Sequence, residues 1–147
     1  MDFVKLSIQD LTRIRTLFRS VFTREPWNDD WSDETQLNAF LTELIGNPNS
    51  LTLAYAEDDA LAAVAMGHIR HWYEGTEYYI DELCVRTDLQ GQGLGGRFLD
   101  DIAAYLRRNG ISAIFLLTDT DTPAYTFYQK HGFRVLEKNA ALVKPLD

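Results

Sequence analysis

The sequence of 147 residues is poor in cysteine, in long apolar stretches and in basic side chains. Its single cysteine, Cys84, excludes an internal disulfide, and no Cys/His spacing typical of a zinc site is present. No apolar stretch approaches the roughly 18 residues of a membrane-spanning helix, and the charged N-terminal segment does not resemble a secretory signal. These absences predict a cytoplasmic protein with no membrane partner and no metal ligands.

Basic residues are outnumbered, with 14 Lys and Arg against 22 Asp and Glu, for a formal net charge of −8. A nucleic-acid-binding protein needs a basic face, so this balance argues against a nucleic-acid partner. An acidic surface is compatible with a cationic substrate, although it also serves solubility alone.

The hydrophobic pattern predicts one domain, residues 1–147, with a strand, two helices, three strands, a helix, a strand, a helix and closing strands. Asp10 is expected to cap the first helix, and Ser32 to start the second. The turn at Asp58-Asp59 predicts a hairpin between two apolar strands. After the last helix, "FRVLEK" and "AALVK" are predicted to be strands. This order predicts an α+β fold with a mixed sheet covered by helices.

The stretch "RTDLQGQGLGG" follows a predicted strand and opens a predicted helix. The first turn of a helix offers free N–H groups and a positive dipole end, and glycines let a phosphate approach the backbone closely. The spacing Gly91-x-Gly93-x-x-Gly96 is also that of dinucleotide-binding proteins. In those folds, however, the glycines follow the first strand, whereas here a helical and then antiparallel region precedes them. No G-K-[ST] follows, which excludes a Walker A loop.

The sequence carries two linked motifs. The first is "ELCVRTDLQGQGLGG", in which Gln90, Gly93 and Gly95 match the pattern [QR]-x-x-G-x-[GA]. The second is an A-x-x-x-Y run that continues through "FYQKHGF" to Gly-Phe, with Ala124, Tyr128, Gly132 and Phe133 at its fixed positions. Together they resemble the GNAT superfamily of acetyl-CoA-dependent N-acetyltransferases. The resemblance implies the GNAT acyl-CoA N-acyltransferase fold, with a largely antiparallel sheet splayed at the cofactor strand. It also implies that acetyl-CoA is the cosubstrate.

The resemblance also implies which residues hold acetyl-CoA. The pantetheine arm is expected on the backbone of the strand before the loop, and the pyrophosphate on the N–H groups of the loop. The implied cofactor-binding residues are Leu83, Cys84, Val85, Gln90, Gly91, Gln92, Gly93, Leu94, Gly95, Gly96, Asp121 and Tyr128. Asp121 stands where the family usually has asparagine, and it cannot donate the hydrogen bond of an amide, so it is alternatively a cap of the next helix.

Acetyl transfer to an amine needs a neutral amine and a proton for the leaving thiolate. Tyr128 occupies the family's tyrosine position and is the predicted acid, the alternative being a core tyrosine packed beside Phe127. Glu82 is the predicted base, acting through water, and it alternatively binds a cationic substrate. By strict alternation Asp81 points away from Glu82.

Two other candidates carry less weight. Cys84 has no activating neighbour in the sequence, so a buried structural thiol is favoured over a nucleophile. His68 and His71 lie three apart on a predicted strand, so they need not share a face; one of them is an alternative base, but a histidine without a role is favoured for each.

In the superfamily the segment between the first two helices forms a wall of the acceptor site. Here it carries Trp27, Trp31 and Asp30, and "HWYEGTEYY" would supply Trp72 and Tyr73 opposite. With Glu82, these residues suit a small cationic amine through cation–π contacts and charge pairing. Alternatively, the tryptophans anchor a loop and the acids stabilise a helix N-terminus.

The chain is weakly similar to aminoglycoside 6′-N-acetyltransferases. A peptide N-acetyltransferase, a non-catalytic acetyl-CoA-binding regulator and a dinucleotide-binding module remain alternatives. The resemblance also leaves a homodimer open, formed through the predicted C-terminal strands.

Overall fold

The computed structural model describes residues 1–147. Its strands and helices are β1 (Asp2–Leu6), α1 (Leu11–Phe22), α2 (Glu34–Gly46), β2 (Ser50–Glu57), β3 (Ala60–Trp72), β4 (Gly75–Val85), α3 (Leu94–Arg108), β5 (Ala113–Leu116) and α4 (Pro123–Lys130). The chain divides into two compact units, residues 1–117 and 118–147. No helix has the length and apolar character needed to cross a membrane.

The first unit is built on a five-stranded sheet in the order β1-β2-β3-β4-β5. Neighbouring strands are antiparallel from β1 to β4, whereas β5 runs parallel to β4. The predicted hairpin at Asp58-Asp59 is confirmed, since β2 and β3 pair on either side of it. The mixed, largely antiparallel sheet of the prediction is therefore present.

Each face of the sheet is covered by its own apolar core. On one face, α1 and α2 pack on a cluster that includes Phe18, Leu41, Val64 and Met66. On the other face, α3 packs on a cluster that includes Tyr78. The helix spacing explains this division, because the apolar residues of α1 and α3 recur every three or four positions and form one stripe on each helix.

Two helix starts differ in detail from the prediction. Asp33, not Ser32, caps α2, since its carboxylate accepts a hydrogen bond from the N–H of Gln36 at 3.1 Å. Asp10 stands at the N-cap of α1, but its carboxylate binds the N–H of Ser7 at 2.9 Å instead of the first turn of the helix. The sequence therefore predicts that an acidic residue lies near a helix start. Which N–H its carboxylate binds depends on the conformation of the local turn.

The second unit contains α4, which begins after Thr122 with Pro123 in its first turn, as predicted. The prediction of two strands after this helix is wrong. "FRVLEK" and "AALVK" form no strand, and nearly all their side chains are exposed. Alternating side chains indicate which face a strand would bury, but a strand also needs a neighbouring edge to pair with. The expectation of a homodimer rested on these strands and remains only a prediction.

Candidate functional site

The glycine loop and the end of β4 form one continuous feature. A short 3₁₀ turn, Thr87–Leu89, leads from β4 toward α3. Gly91 and Gly93 have φ angles of 77° and 82°, in the left-handed region, and a Cβ on either would meet nothing within 4 Å. Gly93 is the N-cap of α3 and has no side chain to bind the first N–H groups. The helix start thus presents donors beside open space, which suits a phosphate group.

The loop is held in place by polar side chains that bind its own backbone. Gln90 donates from Nε2 to the carbonyl oxygen of Val85 at 2.8 Å, and Gln92 donates to that of Asp88 at 3.2 Å. Arg86 donates from Nε to Asp88 at 2.7 Å, and the guanidinium lowers the pKa of that carboxyl. These bonds fix the path between the strand and the helix before any ligand arrives.

Beside this loop, the C-terminal half of β4 has no neighbouring strand on the β5 side. Pairing between β4 and β5 covers Glu77 to Ile80 and stops there, whereas pairing with β3 continues to Val85. The residues from Glu82 to Val85 therefore pair on the β3 side alone. An unpaired strand edge can accept an extended ligand through main-chain hydrogen bonds.

A β-bulge lies where the edge opens. Met66 pairs with Glu82 and Gly67 with Ile80, so Asp81 is the extra residue on β4. Gly67 permits this arrangement, because a Cβ there would lie 2.2 Å from the carbonyl oxygen of Tyr79. A bulge interrupts the alternation of side chains along a strand.

The bulge corrects the expected direction of Asp81. Its carboxylate lies 2.9 Å from Nδ1 of His68, which by alternation on β3 shares the α1/α2 face with Met66. Glu82 also faces this side, next to the buried Cys84, as expected. The expectation that Asp81 points away from Glu82 is therefore wrong: both carboxylates are on one face of the sheet.

Glu82 has the electrostatics of a base poised near neutrality. Burial raises the pKa of its carboxyl to about 7, and the negative charges of Asp29 and Asp81 add to the shift. Burial, followed by the charge of Glu82, also raises the pKa of the Cys84 thiol. Cys84 is thus kept in the thiol form, which agrees with the structural role favoured from the sequence.

The segment between α1 and α2 is anchored by its tryptophans. The ring of Trp27 meets that of Phe22 edge-on at 5.3 Å, and Trp31 stacks on Phe40 at 5.2 Å. Both tryptophans are half-buried against the α1/α2 core. The anchoring role left open in the sequence is therefore present, and the exposed part of each ring remains available to a ligand. The indole N–H of Trp31 is buried without a hydrogen-bond partner.

The acids of this segment differ in their surroundings. Asp30 is exposed and binds Ser32, whose side chain and N–H lower the pKa of its carboxyl. Its neighbour Asp29, one of several acids that the sequence places in this segment, is the one whose charge reaches Glu82. Only the folding of the loop, with the Asp29 N–H bound to the carbonyl of Phe22 at 2.8 Å, reveals that position.

Trp72 and Tyr73 lie away from this site. Their rings contact each other at 5.1 Å, at the tip of the β3–β4 hairpin, where 53% of Trp72 and 82% of Tyr73 are exposed. Gly75, which pairs with Trp72, is roughly 20 Å along the strand from Glu82 at about 3.3 Å per residue. Within residues 1–117, the structure does not place this pair near Glu82.

A row of aromatic rings that sequence reasoning missed continues the face of Glu82. Tyr79 stacks on His68 at 5.1 Å and on Phe115 at 5.5 Å, across three strands. The guanidinium of Arg70 lies 5.8 Å from the centre of the Tyr79 ring. Alternation along each strand could indicate which face these side chains share. The sequence alone could not show that the three strands pair so as to bring the rings into contact. The rings form a half-buried stack on the face of the sheet that also carries Asp81 and Glu82.

A separate groove of about 660 Å³ lies between α1, the β2–β3 turn and Arg86. None of the predicted site residues lines it. Its two arginines are each held by a carboxylate of the same chain, Arg13 by Asp10 and Arg86 by Asp88. We assign no ligand to this groove.

In the second unit, Tyr128 is buried on α4. Its ring meets those of Phe127 and Phe133 edge-on at 5.3 and 5.2 Å. Tyr128 therefore packs as a core tyrosine does. That its hydroxyl acts as an acid stays a prediction. Asp121 is exposed and does not cap α4, whose N-cap is Thr122.

Taken together, an α+β sheet with an open strand edge and a glycine-rich helix start define an acyl-CoA-dependent transferase. The chain belongs to the acetyltransferase (GNAT) family, whose model matches residues 11–133. It is therefore an acyltransferase of a family that uses acyl-CoA. No curated protein sequence matches the chain significantly.

Solved structures show the same fold at low sequence identity. One is the aminoglycoside acetyltransferase meta-AAC0020 from an uncultured soil metagenomic sample, in complex with sisomicin, with 21% identity, a TM-score of 0.74 and coverage of 99% of this chain and 96% of that one. Another is AAC(6′)-Iy in complex with a bisubstrate analog, CoA-S-monomethyl-acetylneamine, with 16% identity, a TM-score of 0.71 and coverage of 99% and 98%. A structure from Clostridium difficile 630, described as a possible acetyltransferase, has 14% identity, a TM-score of 0.81 and coverage of 99% and 98%.

Proposed function

We propose that this protein transfers the acetyl group of acetyl-CoA to a primary amine of a small cationic molecule by direct attack in a ternary complex. The observation that carries the proposal is the surface around Glu82. It combines a carboxyl of pKa about 7 with two further acids, Asp29 and Asp81, on the face that carries the stacked rings of Tyr79 and Phe115. Carboxylates bind an ammonium ion through charge-assisted hydrogen bonds.

The cosubstrate site is supported by the glycine loop. The N–H groups from Gln90 to Gly96 hold the pyrophosphate, and the open edge of β4 from Leu83 to Val85 holds the pantetheine arm. Two observations fit this role: the unpaired edge after Ile80 and the open space over Gly91 and Gly93. Acetyl-CoA supplies the acetyl group as a thioester.

Glu82 is the base in this proposal. The acceptor amine arrives as an ammonium ion and has to lose a proton before its lone pair can attack. A carboxylate whose pKa lies near physiological pH accepts this proton and is also able to release it. Asp29 and Asp81 keep the surroundings negative, which favours binding of the cation.

Tyr128 is the acid in this proposal, on the strength of the family motif. The C–S bond breaks as the C–N bond forms, and the phenol donates a proton to the departing thiolate. The new amide nitrogen then loses its extra proton, which restores the phenol, so the only proton released per cycle is the one that Glu82 took from the ammonium ion.

A thiol-release assay tests the proposal with acetyl-CoA and a panel of polyamines, aminoglycosides, amino acids and peptides. We expect release with small polycationic amines, and a loss of roughly 10²- to 10⁴-fold in Tyr128→Phe and in Glu82→Gln, as for removal of a general acid or base. Tyr125→Phe, on the same helix, is the matched control and should keep full activity.

The other outcomes identify the alternatives. Release with peptides alone would indicate a peptide acetyltransferase. Tight binding of acetyl-CoA without turnover on any amine would indicate a regulator. Binding of NAD in place of acetyl-CoA would overturn the proposal.

A further inference from the structure

The lysines of this chain are concentrated near its C-terminus. Only four lysines occur in the sequence, and three of them lie in the second unit, namely Lys130, Lys138 and Lys144. Residues 1–117 contain 18 acidic and 10 basic side chains, so they carry the whole net charge of −8. Residues 130–146, in contrast, contain four basic side chains and one acidic side chain. The C-terminal segment is therefore opposite in charge to the unit that carries Glu82.

Lys144 lies in a stretch without regular structure. Residues 140–147 belong to no helix or strand, and no backbone hydrogen bond holds them. Lys144 precedes Pro145, and a residue before proline prefers an extended main chain. The apolar side chains on either side are between 89% and 94% exposed, namely Leu142, Val143 and Leu146. Lys144 thus offers a primary amine on an exposed peptide with apolar neighbours.

The other three lysines are held by hydrogen-bonded structure. Lys5 lies on β1, and Lys130 lies in the last turn of α4. Lys138 lies in a turn that a main-chain hydrogen bond of 3.1 Å closes. An amine enters a half-buried site more readily when its main chain is free of such bonds, as an extended peptide ligand is. Lys144 is the lysine that meets this condition.

The acceptor surface of the proposed function, on which the present inference rests, is complementary to such a peptide. Glu82 lies within reach of the charges of Asp29 and Asp81, and these carboxylates attract a lysine ammonium ion. Trp27 and Trp31 lie in the same segment as Asp29 and keep part of their rings exposed. Apolar side chains beside the lysine have aromatic surface to contact there, so the peptide matches the surface in both charge and polarity.

We propose that the enzyme also acetylates Lys144 of a second copy of the chain. Glu82 takes one proton from the Lys144 ammonium ion, and the freed lone pair of Nζ attacks the carbonyl carbon of the thioester. The C–N bond forms as the C–S bond breaks, and coenzyme A leaves as the thiol with the proton of Tyr128. The amide nitrogen loses its extra proton, which restores the phenol. Acetylation removes the positive charge of the lysine, so the product no longer pairs with the carboxylates and leaves the site.

Mass spectrometry of the purified full-length protein after incubation with acetyl-CoA tests the proposal. We expect one acetyl group on Lys144 of wild type, and its formation should be slower by about 10²-fold or more in Glu82→Gln, as for loss of a general base. Lys144→Arg keeps the charge but offers no lysine amine, so this chain should gain no acetyl group while it still acetylates small amines. Lys138→Arg is the matched control and should be acetylated on Lys144 like wild type.

A mixture of two variants shows whether the transfer runs between copies. Glu82→Gln keeps the acceptor lysine but lacks the base, and Lys144→Arg keeps the base but lacks the acceptor. Neither chain alone should be modified at an appreciable rate. In the mixture, we expect an acetyl group on Lys144 of the Glu82→Gln chain. Native electrophoresis gives a second readout, because each acetylated chain loses one positive charge.

The outcomes separate this inference from the function on which it rests. If wild type acetylates a small amine but Lys144 stays unmodified, the inference is wrong and the proposed function stands. If Lys144 is acetylated through Glu82 but no small amine is accepted, the inference stands and the small acceptor is wrong. Acetylation that is equally fast in Glu82→Gln, or spread evenly over the four lysines, would be spontaneous and would overturn the inference. An unmodified mixture beside a modified wild type would overturn transfer between copies.

Discussion

At the scale of single residues, Glu82, the proposed base, lowers stability when it ionises. Its pKa is raised to about 7 from the ordinary 4.5 of a glutamate, because burial and the charges of Asp29 and Asp81 oppose ionisation. Between these two values the folded chain binds more protons than the unfolded chain. The free energy of unfolding therefore falls as pH rises through this window, by about 3 kcal/mol in total.

Replacing the carboxyl should remove that loss. We expect Glu82→Gln to be more stable than wild type at pH 8, by about 3 kcal/mol at most, and close to wild type at pH 5. Urea denaturation at the two pH values measures the difference. Glu43→Gln, at an exposed position on α2, should shift neither value. Equal stability of wild type and Glu82→Gln at pH 8 would show that Glu82 ionises without cost.

The same pKa sets the pH dependence of activity. Glu82 accepts a proton only as the carboxylate, so kcat/KM for acetyl transfer should fall as pH drops through about 7. Steady-state rates measured from about pH 5.5 to about pH 8.5 follow this decrease. In Glu82→Gln the residual activity should lose this limb. A limb that persists in the variant would assign it to another group.

At the scale of elements, the bulge in β4 determines which side chains meet. Gly67 permits it, since a Cβ there would stand 2.2 Å from the Tyr79 carbonyl oxygen and 2.7 Å from the Tyr78 ring. We expect Gly67→Ala to cost about 1–3 kcal/mol of stability, as overpacking does, and to lower activity by displacing Asp81 and Glu82. Thermal unfolding and the thiol-release assay check both effects.

Gly46→Ala is the matched control for this prediction. A Cβ at Gly46, the last residue of α2, would meet only the end of the Ile8 side chain, at an ordinary 3.8 Å. Alanine is a better helix former than glycine, so stability should stay equal or rise slightly. Similar losses in the two variants would contradict a specific role for Gly67.

Much of this element-level structure could be predicted from the sequence, and the exceptions have physical causes. Local signals identified the hairpin at Asp58-Asp59, the glycine loop before α3 and the start of α4 at Thr122. The direction of Asp81 could not be predicted, because a bulge depends on the pairing of two strands. The place of Asp29 beside Glu82 depends on how a loop folds back on α1. The predicted C-terminal strands had apolar residues typical of a strand but no neighbouring edge to pair with.

At the scale of the whole molecule, the net charge of −8 attracts cations toward a site that is itself acidic. The candidate site is negatively charged, like the molecule as a whole, since Asp29, Asp81 and Glu82 lie together. Binding of a polycationic amine should therefore be favoured at long range and at contact. Long-range attraction is screened within about 8 Å at physiological salt, whereas the contact between an ammonium ion and a buried carboxylate is screened much less.

Salt separates these two contributions. Raising the ionic strength from about 0.01 M to 0.15 M shortens the Debye length from about 30 Å to 8 Å, so KM for a polyamine should rise several-fold. KM for a monoamine should rise less, and kcat for both should stay constant, because the proton transfers occur at Glu82 in contact with the substrate. Steady-state kinetics with a matched polyamine and monoamine measure the difference. If KM of the polyamine does not respond to salt, the acidic surface serves solubility and contributes nothing to the choice of acceptor.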